Sequence, residues 1–494
     1  MKARNVLALV AGGLLLTLGA CSKAPLASVS ERERELIASN LMRDIEVLAS
    51  DEFGGRLPGT LGGEKTIAYL TERMQAVGLV SGTNDPGSAW RAPVRLLSTK
   101  PFTSRVEFTF GRKRVKLDPQ DAAAFTSSRR ALAERAEMVF AGPGAKEIAA
   151  PFIRGKVVIL LGTPEVSTER RAALFANDPA AIITVVGDTG VISALEVSFG
   201  SEQLRLARED LGALNAFVTE TALADALGNE RWRALVEASD VAQREPIAVS
   251  GTVTIEATSQ RREFTSYNVI GKLPGTEPQN GALLLLAHWD HLGECGPPEA
   301  ADRICNGAID NASGVAVMLE LARRLKASGP HKRDIYVLAT SAEEAGLLGA
   351  RSFAASPPVP LSTFVAAFNF DTVALAPAES PLGFVGQGRT PLDGIIFDVM
   401  EAANRRLGDQ DFAAQFVQRQ DGWVLLQKGV PTVFLSSAFG SADLLNAYLD
   451  GPYHSPADEI DQVELGGAID DLLLHSVLIK RIADPAQYLP NFSE

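Results

Sequence analysis

Histidine is scarce in this chain, cysteine is scarcer, and a surplus of positive charge is missing altogether. Five histidines and three cysteines occur among 494 residues. Acidic residues outnumber basic ones, 60 against 47, which leaves a formal charge of −13. That balance argues against nucleic-acid binding, and no basic patch offsets it. Beyond Leu18 no apolar run is long enough to span a bilayer. Hydrophobic content of 46% is ordinary for a globular protein, and the length suits two domains better than one.

What is present begins with a targeting segment. Lys2 and Arg4 precede the apolar stretch Val6 to Leu18, which has signal-peptide length. Leu18-Gly19-Ala20-Cys21 resembles the lipobox of bacterial lipoproteins. The resemblance implies removal of residues 1–20, lipidation of Cys21 and a membrane anchor. Ser22, a residue other than Asp, resembles the outer-membrane sorting signal. The expected location is exported, periplasmic and lipid-anchored, at the outer membrane; an ordinary signal peptide cut nearby is the alternative. Cys295 and Cys305 remain, ten positions apart in an exported chain, which suggests a disulfide. Two free thiols are the other reading, and the spacing is long for zinc ligation by the pair.

Along the chain, Glu31 to Leu48 carries Leu36, Ile37, Leu41, Ile45 and Leu48 on a predicted helical stripe. Phe53 to Thr60 is a glycine- and proline-marked loop. Its Arg56 is open to two readings, an anion ligand or a surface structural residue. A second helix is predicted over Gly63 to Val77, with Gly78 placed to end it. Arg105 to Phe110 and Arg114 to Leu117 read as a hairpin. From Asp121 to Pro246 alanine rises and histidine vanishes. That stretch reads as an inserted, non-catalytic α/β module, flanked by a first part of the main domain (31–120) and a second (247–490).

The chemistry gathers after residue 280. An apolar run, Ala282 to Ala287, has the length of a buried strand and stops at His288-Trp289-Asp290-His291. Side chains two apart on a strand share a face, and a carboxylate behind a histidine is a usual support for a metal ligand. Asn306 to Gly314 (NGAIDNASG) then leads into a helical pattern from Ser313 to Lys326. Asp334 to Thr340 is the next strand and ends at Glu343-Glu344. Val365 to Phe370 ends at Asp371. Pro431 to Ser436 precedes a loop holding His454. Strands alternating with helices predict an α/β fold with a mainly parallel mixed sheet and helices on both faces. In such sheets ligands bind beyond the carboxyl ends of the strands, where His288, Glu343, Glu344 and Asp371 all stand. Imidazole and carboxylate donors suit zinc. Three carboxylates and two histidines exceed the needs of one tetrahedral ion and suit two ions sharing a bridge.

Taken together, AHWDHLG, NGAIDNASG, SAEEAGLLG, NFDTV and YHSPADE resemble, in order and spacing, the motifs of the co-catalytic zinc exopeptidases of the bacterial leucyl aminopeptidase type. The resemblance implies the zinc exopeptidase fold, with residues 121–246 similar to an inserted protease-associated domain. It implies two zinc ions per chain, one taking His288, Asp310 and Asp371, the other Asp310, Glu344 and His454. Glu343 corresponds to the general base and Asp290 to the carboxylate that orients His288; His291 and His475 are not ligands in this reading. A cis peptide bond is implied between Asp310 and Asn311. Two departures stand out. Ile309 occupies a position that is often acidic, and Arg419-Gln420-Asp421-Gly422-Trp423 replaces a frequent Ser-Asp-His segment.

The function implied is a zinc aminopeptidase that removes N-terminal residues from peptides with a free N-terminus, by way of a metal-bridging water. Two alternatives stay open: a glutaminyl cyclase-like acyltransferase, which uses a similar scaffold and one zinc, and a non-catalytic peptide-binding protein.

Overall fold

The computed structural model describes residues 29–142, 148–162, 164–239 and 245–489. The predicted signal peptide and Cys21 lie outside the described residues. No helix among the described residues is long and apolar enough to cross a membrane.

The strand Ala282–His288 sits at the centre of the main unit, with every residue buried. Strands buried on both faces are apolar throughout rather than alternating. Leu283, Leu285 and Ala287 face one hydrophobic cluster; Ala282, Leu284 and Leu286 face the other. On either side lie Asp334–Thr340 and Phe364–Asn369, both parallel to it, and Thr432–Ser436 continues the parallel run. Antiparallel strands close the sequence, Gly383–Val385 at one edge and the end of Ile247–Leu273 on the other side. This is the mixed, mainly parallel sheet expected. The chain leaves the central strand to one side and later returns to the other, so a crevice opens at the carboxyl ends of these three strands.

Helices cover both faces. Glu31–Leu48 is capped by the Ser30 side chain and buries Ile37, Leu41, Ile45 and Leu48. Leu36, expected on that stripe, is 54% exposed. One residue turns a helix by about 100°, which carries position 36 off the face that holds 37, 41 and 45. Leu61–Val77 ends at Gly78 with φ 86°, the left-handed closure glycine favours. Gly314–Ala327 buries Val317, Met318, Leu321 and Leu325.

The second unit has four parallel strands, Arg130–Gly142, Val157–Leu161, Ala181–Val186 and Leu214–Thr219, with Ala122–Thr126 antiparallel at the edge. Its sheet is continuous with the first. Arg91–Phe110 pairs along nearly its whole length with positions 252–269 of Ile247–Leu273, with one irregularity at Thr258/Ser259. The second core therefore draws on Val106, Phe108, Val253 and Ile255, which lie outside 121–246.

Candidate metal centre

Each candidate side chain is delivered by a strand end or by the loop after it. His288 closes the central strand. Glu343 and Glu344 follow Asp334–Thr340, Asp371 follows Phe364–Asn369, and Asp310 precedes the helix Gly314–Ala327. His454 arrives from the loop after Ala442–Leu449.

Asp310 lies between the two histidines. Its Oδ1 is 3.2 Å from His288 Nε2 and its Oδ2 is 3.3 Å from His454 Nε2. His288 Nε2 is also 3.4 Å from Asp371 Oδ1, and His454 Nε2 is 2.9 Å from Glu344 Oε2. Donor atoms of His288, Asp310 and Glu344 fall within 4.8 Å of one another. A tetrahedral zinc with bonds of about 2.0–2.1 Å has donors roughly 3.3 Å apart, so the four histidine–carboxylate separations of 3.2, 3.3, 3.4 and 2.9 Å fit such an ion. Glu343 is different. Its carboxylate makes no hydrogen bond or ion pair among the described residues, while its backbone N–H donates to Asp290 Oδ1 at 3.0 Å.

The two adjacent glutamates are pushed apart electrostatically. Burial holds Glu343 well above the usual carboxylate range; His288 opposes this, and the charges of Asp371, Asp421 and Glu344 add to it. Burial and Asp310 would raise Glu344, but hydrogen bonds from His291 and His454 outweigh them and hold it below its ordinary value. Asp310, although buried, is held well below its ordinary value by His288 and His454. Neighbouring acids whose environments separate them this way are suited to different roles.

The supports were only partly legible. Asp290 was expected to hold His288 through its carboxylate. Instead its backbone carbonyl lies 3.2 Å from His288 Nδ1, and the carboxylate is taken by the Glu343 N–H. The chain turns at the strand end, which brings the carbonyl rather than the side chain under the imidazole. Arg56 is neither an anion ligand nor a surface residue. It is 1% exposed and donates to the carbonyls of Leu48, Trp289, Asn306 and Gly307. Burial pushes its guanidinium down to about 10, so it stays charged at neutral pH behind the carboxylates.

Three residues went without a role in the sequence reading. His291 Nδ1 lies 2.6 Å from Glu344 Oε1 and so fixes that carboxylate from behind. The Asp458 carboxylate accepts from the N–H groups of Ile309 and Asp310 at 2.9 and 3.0 Å, and from Tyr448. Asn311 donates to the Phe370 carbonyl and, at 3.4 Å, to the His288 carbonyl, which ties two strand ends together, and it accepts from Gly314 and Thr372. A side chain at Gly314 would land on Asn311 and that carbonyl, so only glycine fits there. The signals were faint but present: a second histidine three residues after His288, and the acid in YHSPADE. His475 lies in the core against Phe370, where burial lowers it to about 4.

The Asp310–Asn311 bond is cis. Ala342, Thr372 and His454 have φ of 55°, 50° and 54°. Left-handed non-glycine residues are uncommon and cluster at functional sites; these three are at, or next to, candidate site residues. Cys295 and Cys305 are paired in the intervening loop, their Cα atoms 5.8 Å apart. A recess of about 70 Å³ opens beside Glu343, lined by Phe416, Phe434, Phe439, Leu445, Leu449 and Tyr453 together with Thr372, Arg419 and Gln420. Asp421, from the departing segment, is 1% exposed behind it and accepts from the Thr340 hydroxyl.

Residues 268–472 match the family described as Peptidase family M28, and all six of His288, Asp310, Glu343, Glu344, Asp371 and His454 fall within that stretch. Over 102 residues the chain is 38% identical to Aminopeptidase YwaD of Bacillus subtilis, covering 20% of each protein. Over 146 residues it is 32% identical to the Probable lipoprotein aminopeptidase LpqL of Mycobacterium tuberculosis, covering 29% of this chain and 27% of that one. The matched stretches thus span only about a fifth to a quarter of these relatives. The aminopeptidase from Aneurinibacillus sp. strain AM-1 shares the fold, with a TM-score of 0.53 and 17% identity over 92% of this chain and 96% of that one.

Proposed function

We propose that this protein is a zinc-dependent aminopeptidase. The observation that carries the reading is Asp310, whose two carboxylate oxygens each face a different histidine. His288, Asp310 and Asp371 would hold one ion, and Asp310, Glu344 and His454 a second, with Asp310 shared. Zinc in such a pair supplies the positive charge that acidifies a water and polarises a carbonyl.

The chain's own residues do the rest. Glu343 stands beside this cluster with an unengaged carboxylate, placed to take a proton from the attacking water and return it to the leaving amine. His291 and Asp458 keep Glu344 and the Asp310 loop from moving as charge develops. The small recess beside Glu343 offers aromatic and leucine side chains to an apolar N-terminal residue, with Arg419 and Gln420 also in its lining. The substrates under this reading are peptides with a free N-terminus. The second unit is read as a protease-associated domain, and the protein as exported and lipid-anchored through Cys21; the M. tuberculosis relative is itself described as a probable lipoprotein aminopeptidase.

A panel of aminoacyl p-nitroanilides, free and N-acetylated, tests this with and without chelator. Release is expected from free apolar substrates, is lost on chelation and returns with zinc. Equal hydrolysis of blocked and free substrates, or cyclisation of N-terminal glutamine at one zinc per chain, would replace this reading.

A further inference from the structure

Two recesses flank the glutamate pair. The smaller one reaches Glu343. The other, of about 320 Å³, is lined by His291, Ala342 and Glu344 and by Glu202 and Leu204 of the second unit. No lysine or arginine lines it among the described residues. The two recesses share no lining residue, but the adjacent Glu343 and Glu344 line one each, so the second begins one residue from the candidate general base.

The second unit is held there firmly. Gln203–Leu206 pairs with Leu96–Thr99 of the long strand. Strand side chains alternate, so 202, 204 and 206 share a face. Leu206 packs with Ala342 and Leu348, and Leu204 and Ala345 pack against the same cluster, so this strand lies along the turn that carries Glu343 and Glu344. Arg208 donates to the Arg351 carbonyl, and Arg351 pairs with Glu209.

Glu202 is one step further along that face. It is about half exposed, at 53%. Its Oε1 accepts from Ser98, and Arg262 approaches the same oxygen at 3.9 Å. Its Oε2 has no partner among the described residues. Glu344 is held by two histidines, and Asp290 accepts the Glu343 N–H on one oxygen while its other oxygen is buried, 1% of the residue being exposed, and so out of reach of a solvated side chain.

We propose that this recess receives the residue just after the scissile bond, and that Glu202 makes it selective for a cationic side chain there. The inference rests on the aminopeptidase reading and adds a substrate class to it. The test is the release of leucine from Leu-Lys-Gly, Leu-Ala-Gly and Leu-Glu-Gly by the zinc-loaded full-length protein, as kcat/KM ratios within each variant. Wild type is expected to favour lysine over glutamate by about fivefold, the scale of one exposed ion pair. Glu202→Gln should bring the ratio near one, and Glu202→Lys should invert it. Because ratios are taken within a variant, partial loss of activity does not obscure them, and the glutamine variant decides alone if the lysine variant does not fold. If wild type releases leucine from all three without preferring lysine, or if the ratio is unmoved in Glu202→Gln, this inference is overturned and the aminopeptidase reading stands. If it releases leucine from none, nor from leucine p-nitroanilide, both fall.

Discussion

At the scale of single residues, Glu343 and Glu344 are neighbours with different surroundings. Glu344 is gripped by His291 and His454, whereas the Glu343 carboxylate is ungripped. Glu343→Gln keeps the size and removes the proton acceptor. General-base help is typically worth about 10²–10⁴-fold. Glu343→Gln is therefore expected to keep close to two zinc ions per chain and to lose at least about 10²-fold in kcat. Glu344→Gln should weaken one metal site, so its activity should recover partly with added zinc. Metal analysis beside turnover checks both; loss of a metal from Glu343→Gln would reverse the assignment. The candidate ligands His288, Glu344 and Asp371 were legible because they follow apolar strands and Asp310 because it sits in a glycine-marked turn, whereas His454 stood out only as a histidine in a loop with acidic neighbours. Arg56 was not, since nothing local tells a buried guanidinium from an exposed one. Four carbonyls from three distant segments decide it. The Asp290 error has the same origin, because whether a carbonyl or a carboxylate meets His288 depends on how the chain turns after the strand.

At the scale of elements, the buried strands and amphipathic helices that were read lie close to their observed bounds, since apolar periodicity marks both, but Leu465–Ile482, Ala442–Leu449 and Leu214–Thr219 were not read. The lengths of Arg91–Phe110 and Ile247–Leu273 were not, because their partly exposed polar positions break the pattern. The loop between His288 and Asp310 belongs to this scale. Its Cys295 and Cys305 meet across the short antiparallel pair Gly293–Glu294 and Ile304–Cys305. The Cys295 sulfur also approaches the His454 carbonyl at 3.5 Å, so the loop touches a candidate ligand segment. A disulfide here would stabilise by roughly 2.5–3 kcal/mol in the chain-entropy model. Thiol titration of the unreduced, unfolded protein should find neither cysteine free, and Cys295→Ser with Cys305→Ser should lower the melting temperature. Two titratable thiols would refute the pairing.

At the scale of the whole molecule, the stretch read as an insertion, 121–246, is compositionally plain, but the second core reaches beyond it. The two long strands carry one sheet through both cores, and Val106, Phe108, Val253 and Ile255 are 0–2% exposed because the second unit covers them. Deleting 121–246 would leave those four uncovered, at about 1.5–3 kcal/mol for each large apolar side chain returned to water. That variant is expected to be insoluble. Deleting 103–258 instead, with a short turn joining Phe102 to Ser259 at the irregularity, removes the second core whole. It should leave the central sheet intact and give soluble protein. It also strips Leu206 from Ala342 and Leu348, and with it the brace on the glutamate turn. Zinc content per chain should then fall below that of the full protein at equal free zinc. Soluble yield and metal analysis of the two deletions read this directly. A soluble 121–246 deletion with full zinc content would show that the shared strands do not couple the two units.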